Sequence, residues 1–139
     1  AVIPSANLAA PTTASITVRS VDNSVTSAGA TFTVNAAPVP SISSISPTSS
    51  IAGGAQFSLT VNGANFASDA VVRWNGVDLS TTYVSAGQLI AIVPAGYIAN
   101  PLSVAVTVRN TSTGQTSSSS TFTVLALPAP TQSAFLGFP

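Results

Sequence analysis

The chain has 139 residues, of which 45% are apolar and only 4% charged: three Arg, three Asp, and no Lys, Glu, His, Cys or Met. Globular proteins ordinarily carry about 25% charged residues, so this surface has to be built from Ser, Thr, Asn and Gln, which suits an extracellular or cell-surface protein without disulfides. The same absences remove the base beside a nucleophile, the usual ligands of a catalytic metal and the phosphate-facing cations of a nucleic-acid binder; no cofactor is expected, and no apolar run reaches the ~20 residues of a membrane span.

In chain order, Ala1 in place of Met is read as following a cleavage or a trimmed upstream segment. Residues 13–19 alternate, with Ala14, Ile16 and Val18 on one face and Ser15, Thr17 and Arg19 on the other; Phe32 and Val34 alternate in the same way within 30–35. "PVP" at 38–40 is a stiff, extended hinge, because Pro fixes φ and brings no donor to a ladder. Beyond it, period-two patterning and Gly/Asn/Pro punctuation predict strands over 41–46, 56–62, 70–75, 78–84, 88–93, 102–109 and 120–125. Asn75-Gly76 is a hairpin signal, since both residues tolerate positive φ. Val104, Val106, Phe57, Leu59, Phe122 and Trp74 are the expected core. No stretch carries a helical apolar period. Seven short strands of this kind predict an all-β, immunoglobulin-like β-sandwich over 41–127. Residues 128–139 read as a Pro-containing linker and an apolar tail, Phe135, Leu136 and Phe138.

Displaced by 90 positions without a gap, residues 1–40 fall on 91–130, and Pro4, Pro11, Thr17, Val18, Arg19, Thr26, Ser27, Thr31, Phe32, Thr33, Val34, Pro38 and Pro40 meet their own kind. Ile3 meets Val93, Leu8 meets Ile98 and Ile16 meets Val106. The expected organisation is therefore one complete module preceded, over residues 1–37, by the C-terminal half of another. Three strands with one apolar face need a cover.

Residues that could carry chemistry have plainer readings. Asp69 and Asp78 sit at predicted turns, where Asp serves local hydrogen bonding, rather than forming a carboxylate pair. Asp22-Asn23 reads as a turn and not a calcium site. Trp74 reads as core rather than a platform for sugar, so carbohydrate binding has no support. Asn110-Thr111-Ser112 spells a glycosylation sequon, and "SSSST" at 117–121 reads as a polar loop.

The segments "ISSISPTSSIAGGAQFSLTVNGANF", "VVRWNGVDLSTTYVSAGQLIAIVPAGYIA" and "SVAVTVRN…TFTV" resemble the IPT/TIG family of immunoglobulin-like modules over about 38–126 and, as the back half alone, 1–37. The resemblance implies a non-catalytic spacer, stalk or interaction domain, of the kind found in tandem in large bacterial surface and secreted proteins. In the strand 88–93, Leu89, Ala91 and Val93 hold the inward phase, while Ile90 and Ile92 stand where such modules prefer Thr, as does Val2 in the first copy.

These readings lead to two expectations. The first is a fibre or stalk subunit that assembles head to tail with other copies by β-strand complementation. Its contacts would be Val2, Ile16, Val18, Phe32, Val34, Ile90, Ile92, Phe135, Leu136 and Phe138. The alternative is a spacer or binding module cut from a large secreted, carbohydrate-active or adhesin-like bacterial protein.

Overall fold

Alternating apolar and polar residues give each strand one face to bury, and the chain satisfies this by pairing strands into sheets. The computed structural model describes residues 2–8, 10–22 and 24–129. Asn23, Phe135, Leu136 and Phe138 lie outside the described residues. The chain divides into two units, Ala1–Pro38 and Val39–Pro139.

The first unit holds a 3-10 turn at Ser5–Leu8 and two antiparallel strands, β1 (Thr12–Ile16) and β2 (Ala30–Val34). The second holds β3 (Ser41–Ser46), β4 (Ser49–Ile51), β5 (Phe57–Ala64), β6 (Ala70–Trp74), β7 (Val77–Asp78), β8 (Ser80–Ser85), β9 (Gln88–Val93), a 3-10 turn at Ala95–Ile98, β10 (Leu102–Asn110) and β11 (Ser120–Leu125). One sheet has the order β4-β11-β10-β6-β7 and the other β3-β5-β9-β8. All pairings are antiparallel except that of β11 with β4.

The core of the second unit lies between these two sheets. Leu59, Val61, Leu89, Ala91 and Val93 come from the four-stranded sheet, and Val72, Trp74, Val104, Val106, Val108, Phe122 and Val124 from the five-stranded one. Phe122 is the aromatic centre, 5.5 Å from the Phe57 ring and 5.0 Å from the Trp74 ring. Phe57 itself is half-buried at the core's edge. Pro40 is fully buried, so the extended "PVP" segment joins the second unit's packing at its last residue.

Strands overlap all seven ranges expected in the second unit, and the inward phases expected in β5, β9, β10 and β11 are those observed. Two short strands were not anticipated. β4 follows Pro47 with no apolar alternation to announce it, and β7 is the two-residue arm opposite β6 across the Asn75-Gly76 turn, where φ is 47° and 86°. The run expected at 78–84 breaks at Leu79, which turns inward and donates its N–H to the Val72 carbonyl at 2.8 Å. Gly63 stands where β3 and β5 shift register; a Cβ there would come within 1.9 Å of the Ser41 carbonyl oxygen. No other residue fits so close an approach.

In the first unit β1 stops at Ile16, whereas its counterpart β10 continues to Asn110 because β6 pairs with residues 106–110. Residues 2–4 are likewise not in a strand; their counterparts lie at the end of β9, where β5 and β8 flank the chain. The third strand expected there is absent among the described residues because it has no neighbours to pair with.

Val106 is fully buried, and its counterpart Ile16 is not. Val106→Asp is expected to cost at least about 3 kcal/mol, since it buries an unpaired charge between sheets, and Ile16→Asp to leave the second unit's melting temperature unchanged. Thermal denaturation of the two variants checks both.

Candidate functional site

The two hairpins are built alike. Thr12↔Val34, Ala14↔Phe32 and Ile16↔Ala30 in β1–β2 correspond, 90 residues on, to Leu102↔Val124, Val104↔Phe122 and Val106↔Ser120 in β10–β11. The bridge Arg19↔Thr26 repeats as Arg109↔Thr116. Val18 donates its N–H to Ser27 Oγ at 2.9 Å, as Val108 does to Ser117 Oγ at 2.9 Å. Asn7 N–H to Pro4 O and Tyr97 N–H to Pro94 O, both 3.0 Å, close the two 3-10 turns. Ser24 takes a positive φ of 54° where Gly114 takes 72°.

What differs is the cover. Val106, Val108 and Phe122 are 0% exposed in the sandwich, while Ile16, Val18 and Phe32 are 45%, 71% and 38% exposed. Ile3 and Leu8, counterparts of the buried Val93 and Ile98, are exposed too. Together with Ala14, Val34 and the Thr12 and Asn7 side chains they line an apolar hollow of about 220 Å3. Fully burying one such side chain is worth about 1.5–3 kcal/mol, so a cover for this face gains several times that. The hollow unites Ile16, Phe32 and Val34 of the expected contacts. Ile3 and Leu8 were missed as contacts, although their pairing with Val93 and Ile98 signalled an inward role.

The remaining expected contacts lie elsewhere. Val2 is almost wholly exposed. Ile90 and Ile92 are on the outer face of β9, Ile90 half-buried and Ile92 exposed, opposite Thr60 and Ser58 of β5. This outer face is otherwise polar, and two isoleucines on it are ordinary for a protein surface.

Asp69, Asp78 and Asn110 each have a local partner. Asp78 accepts from Arg73 Nε at 2.8 Å, and the same guanidinium reaches the Gly76 carbonyl. Asp69 Oδ2 accepts the Ser112 N–H at 2.6 Å, and the Thr111 hydroxyl donates to the Asp69 carbonyl at 2.5 Å. The Asp69 carboxyl is held below its ordinary pKa, chiefly by the Thr111 hydroxyl and further by the side chain and N–H of Ser112, against an opposing cost of desolvation. Asp22 is exposed. Trp74 is buried against Phe122. The sequon residue Asn110 is also buried: its Oδ1 accepts the Ala67 N–H at 3.0 Å and its Nδ2 donates to the Asn65 carbonyl at 2.9 Å. Its amide is therefore occupied within the fold. Among the described residues no three His, Cys, Asp or Glu side chains cluster as a metal site, and no helix is long and apolar enough to cross a membrane.

Two sheets packed face to face over a Phe–Trp–aliphatic core, with polar turns at the ends, define an immunoglobulin-like module. The IPT/TIG domain family matches residues 40–124, from the buried Pro40 to the inward Val124 of β11. That is more than half of the chain, and the chain belongs to this family of immunoglobulin-like, generally non-enzymatic modules. No curated protein matches the chain.

Two outcomes are expected. Asn110→Ala strands the Ala67 N–H and the Asn65 carbonyl and should destabilise the module by about 2–4 kcal/mol, measured by urea denaturation. Because the folded pKa of Asp69 is depressed, its contribution is present above the unfolded Asp value of about 3.9 and is lost as pH falls through the folded value. Asp69→Asn should therefore flatten the loss of stability below about pH 4, followed as melting temperature against pH.

Proposed function

We propose that the chain is a structural repeat of an extracellular or cell-surface fibre or stalk. In this reading the apolar face of residues 2–37 is closed head to tail by complementing β-strands from the neighbouring molecule. The observation that carries it is the exposed face itself: the strand register and turns of a sandwich half are kept while its counterpart's cover is missing. Such a half is marginal alone, since a two-stranded sheet is not independently stable in water.

Two sequence features support the direction of assembly. At the same offset of 90 residues Phe135 meets Ile45, an inward residue of β3, while Gln132 meets Ile42 and Leu136 meets Ser46. The tail 131–139 thus reads as the first strand of a further front half, fit to begin the cover on a neighbour. A balanced total of six charges offers little repulsion to hold copies apart. The added strands would bind by main-chain hydrogen bonds along the open edges of β1 and β2 and by side chains filling the hollow. A heterologous contact of this kind propagates into a filament unless it closes.

Light scattering and electron microscopy of the intact chain and of a chain lacking 131–139 test the reading. The intact chain is expected to form elongated polymers, and the truncated chain to associate less while its second unit melts unchanged. Identical monomers at high concentration would instead make the chain a spacer module.

A further inference from the structure

The turn at the end of each hairpin shows which cover can fit. In the complete module the end of β10 is locked to the loop between β5 and β6. Asn110 holds Ala67 and Asn65, the Thr111 hydroxyl donates to the Asp69 carbonyl, and the Ser112 N–H donates to the Asp69 carboxylate. These bonds join the back half of the sandwich to its front half.

At the same offset the first unit carries Ser20, Val21 and Asp22. The backbone turn is conserved between the two, since Ser20 donates to the Val25 carbonyl at 2.9 Å as Asn110 does to Gln115 at 2.9 Å. The side chains are not equivalent. Ser20 has no amide to bridge a donor and an acceptor, and Val21 has no hydroxyl. The donor to Asp69 is the Ser112 main-chain N–H, which residue 22 also has, but there the adjoining side chain is a carboxylate rather than a hydroxyl. A front half identical to residues 39–90 would set its Asp69 against Asp22, and like charges at one site oppose each other. A hollow of about 380 Å3 lies beside Arg19, Ser20 and Val21.

We infer that the front half closing over residues 2–37 is not residues 39–90 of a second copy, but a sandwich front half of different loop sequence. It carries a hydrogen-bond donor (Asn, Ser, Thr, Lys or Arg) where this chain carries Asp69. The inference rests on the proposed closure of the face by complementing strands. It means that the complete module keeps its own strands and does not exchange them with neighbours, so the donor of the cover is a distinct segment that matches Asp22.

The test extends the full chain at its N-terminus with a second copy of residues 39–90, so that residue 90 runs into residue 1 as it natively runs into residue 91. Three extensions are compared, with Asp, Asn or Lys at the place of residue 69 in the added copy only. Hydrogen exchange of the β1 and β2 amides reads closure of the face, and the amides of β10 and β11 serve as the internal reference. The Asn and Lys extensions are expected to protect β1 and β2 about twofold to fivefold more than the Asp extension, with the Lys advantage shrinking in high salt. Equal protection by all three, or better protection by Asp, would overturn the inference and leave the closure reading standing. If no extension protects β1 and β2 at all, closure by strands of this kind fails, and the inference with it.

Discussion

A sheet with one apolar face is stable only when something lies on that face, and nearly every feature of this chain follows from whether that condition is met. In residues 39–129 the two sheets cover each other: Phe122 meets Phe57 and Trp74, and Val104, Val106 and Val108 are lost from solvent beneath the four-stranded sheet. In residues 2–37 the same strand pair, in the same register, leaves Ile16 and Phe32 open. The comparison is internal, with strand register and the terminal bridge held constant while the burial of the inward residues differs. It also explains why β1 is shorter than β10, since a strand extends only as far as a neighbour pairs with it.

Much of this could be read from the residues. Strict alternation at 102–109 set both the strand and its inward phase, because a slip of one residue would have placed valines outside and Ser103, Thr107 and Arg109 inside. β4 could not be read, because its three residues are defined by the parallel partner β11 and not by any pattern of their own. The break at Leu79 was hidden for a similar reason: its inward turn depends on the Val72 carbonyl, a contact across strands. Of the candidate site, the apolar face was legible in Ile16, Phe32 and Val34. The locking of Asn110 to Asn65 and Ala67 was not, because "NTS" at 110–112 reads locally as a sequon and its partners are more than 40 residues away.

The molecule separates two tasks. Apolar faces supply the gain from burial, and they are generic: valines and isoleucines of either hairpin would accept many covers. Polar side chains at the loop ends are the specific part of the complete module's closure. Asn110 and Asp69 are used once each, in fixed geometry, where a mismatch leaves a donor stranded or two charges opposed. With only six charged residues in the chain, each one is informative about its neighbours.

The pairing of β11 with β4 has a mechanical meaning. These two strands lie near opposite ends of the second unit's chain, yet they run parallel, joined at Thr123↔Ser49, Val124↔Ser50 and Leu125↔Ile51 and flanked by the bonds from Thr123 N–H to Thr48 O at 3.1 Å and from Ala52 N–H to Leu125 O at 2.8 Å. Tension applied through the two ends of the module draws parallel strands in opposite directions along their length. The ladder is then loaded in shear, all rungs together, rather than peeled one rung at a time. Resistance to pulling is governed by the rate of unfolding rather than by the equilibrium stability, and the short β11–β4 ladder is a part of the module loaded in this way.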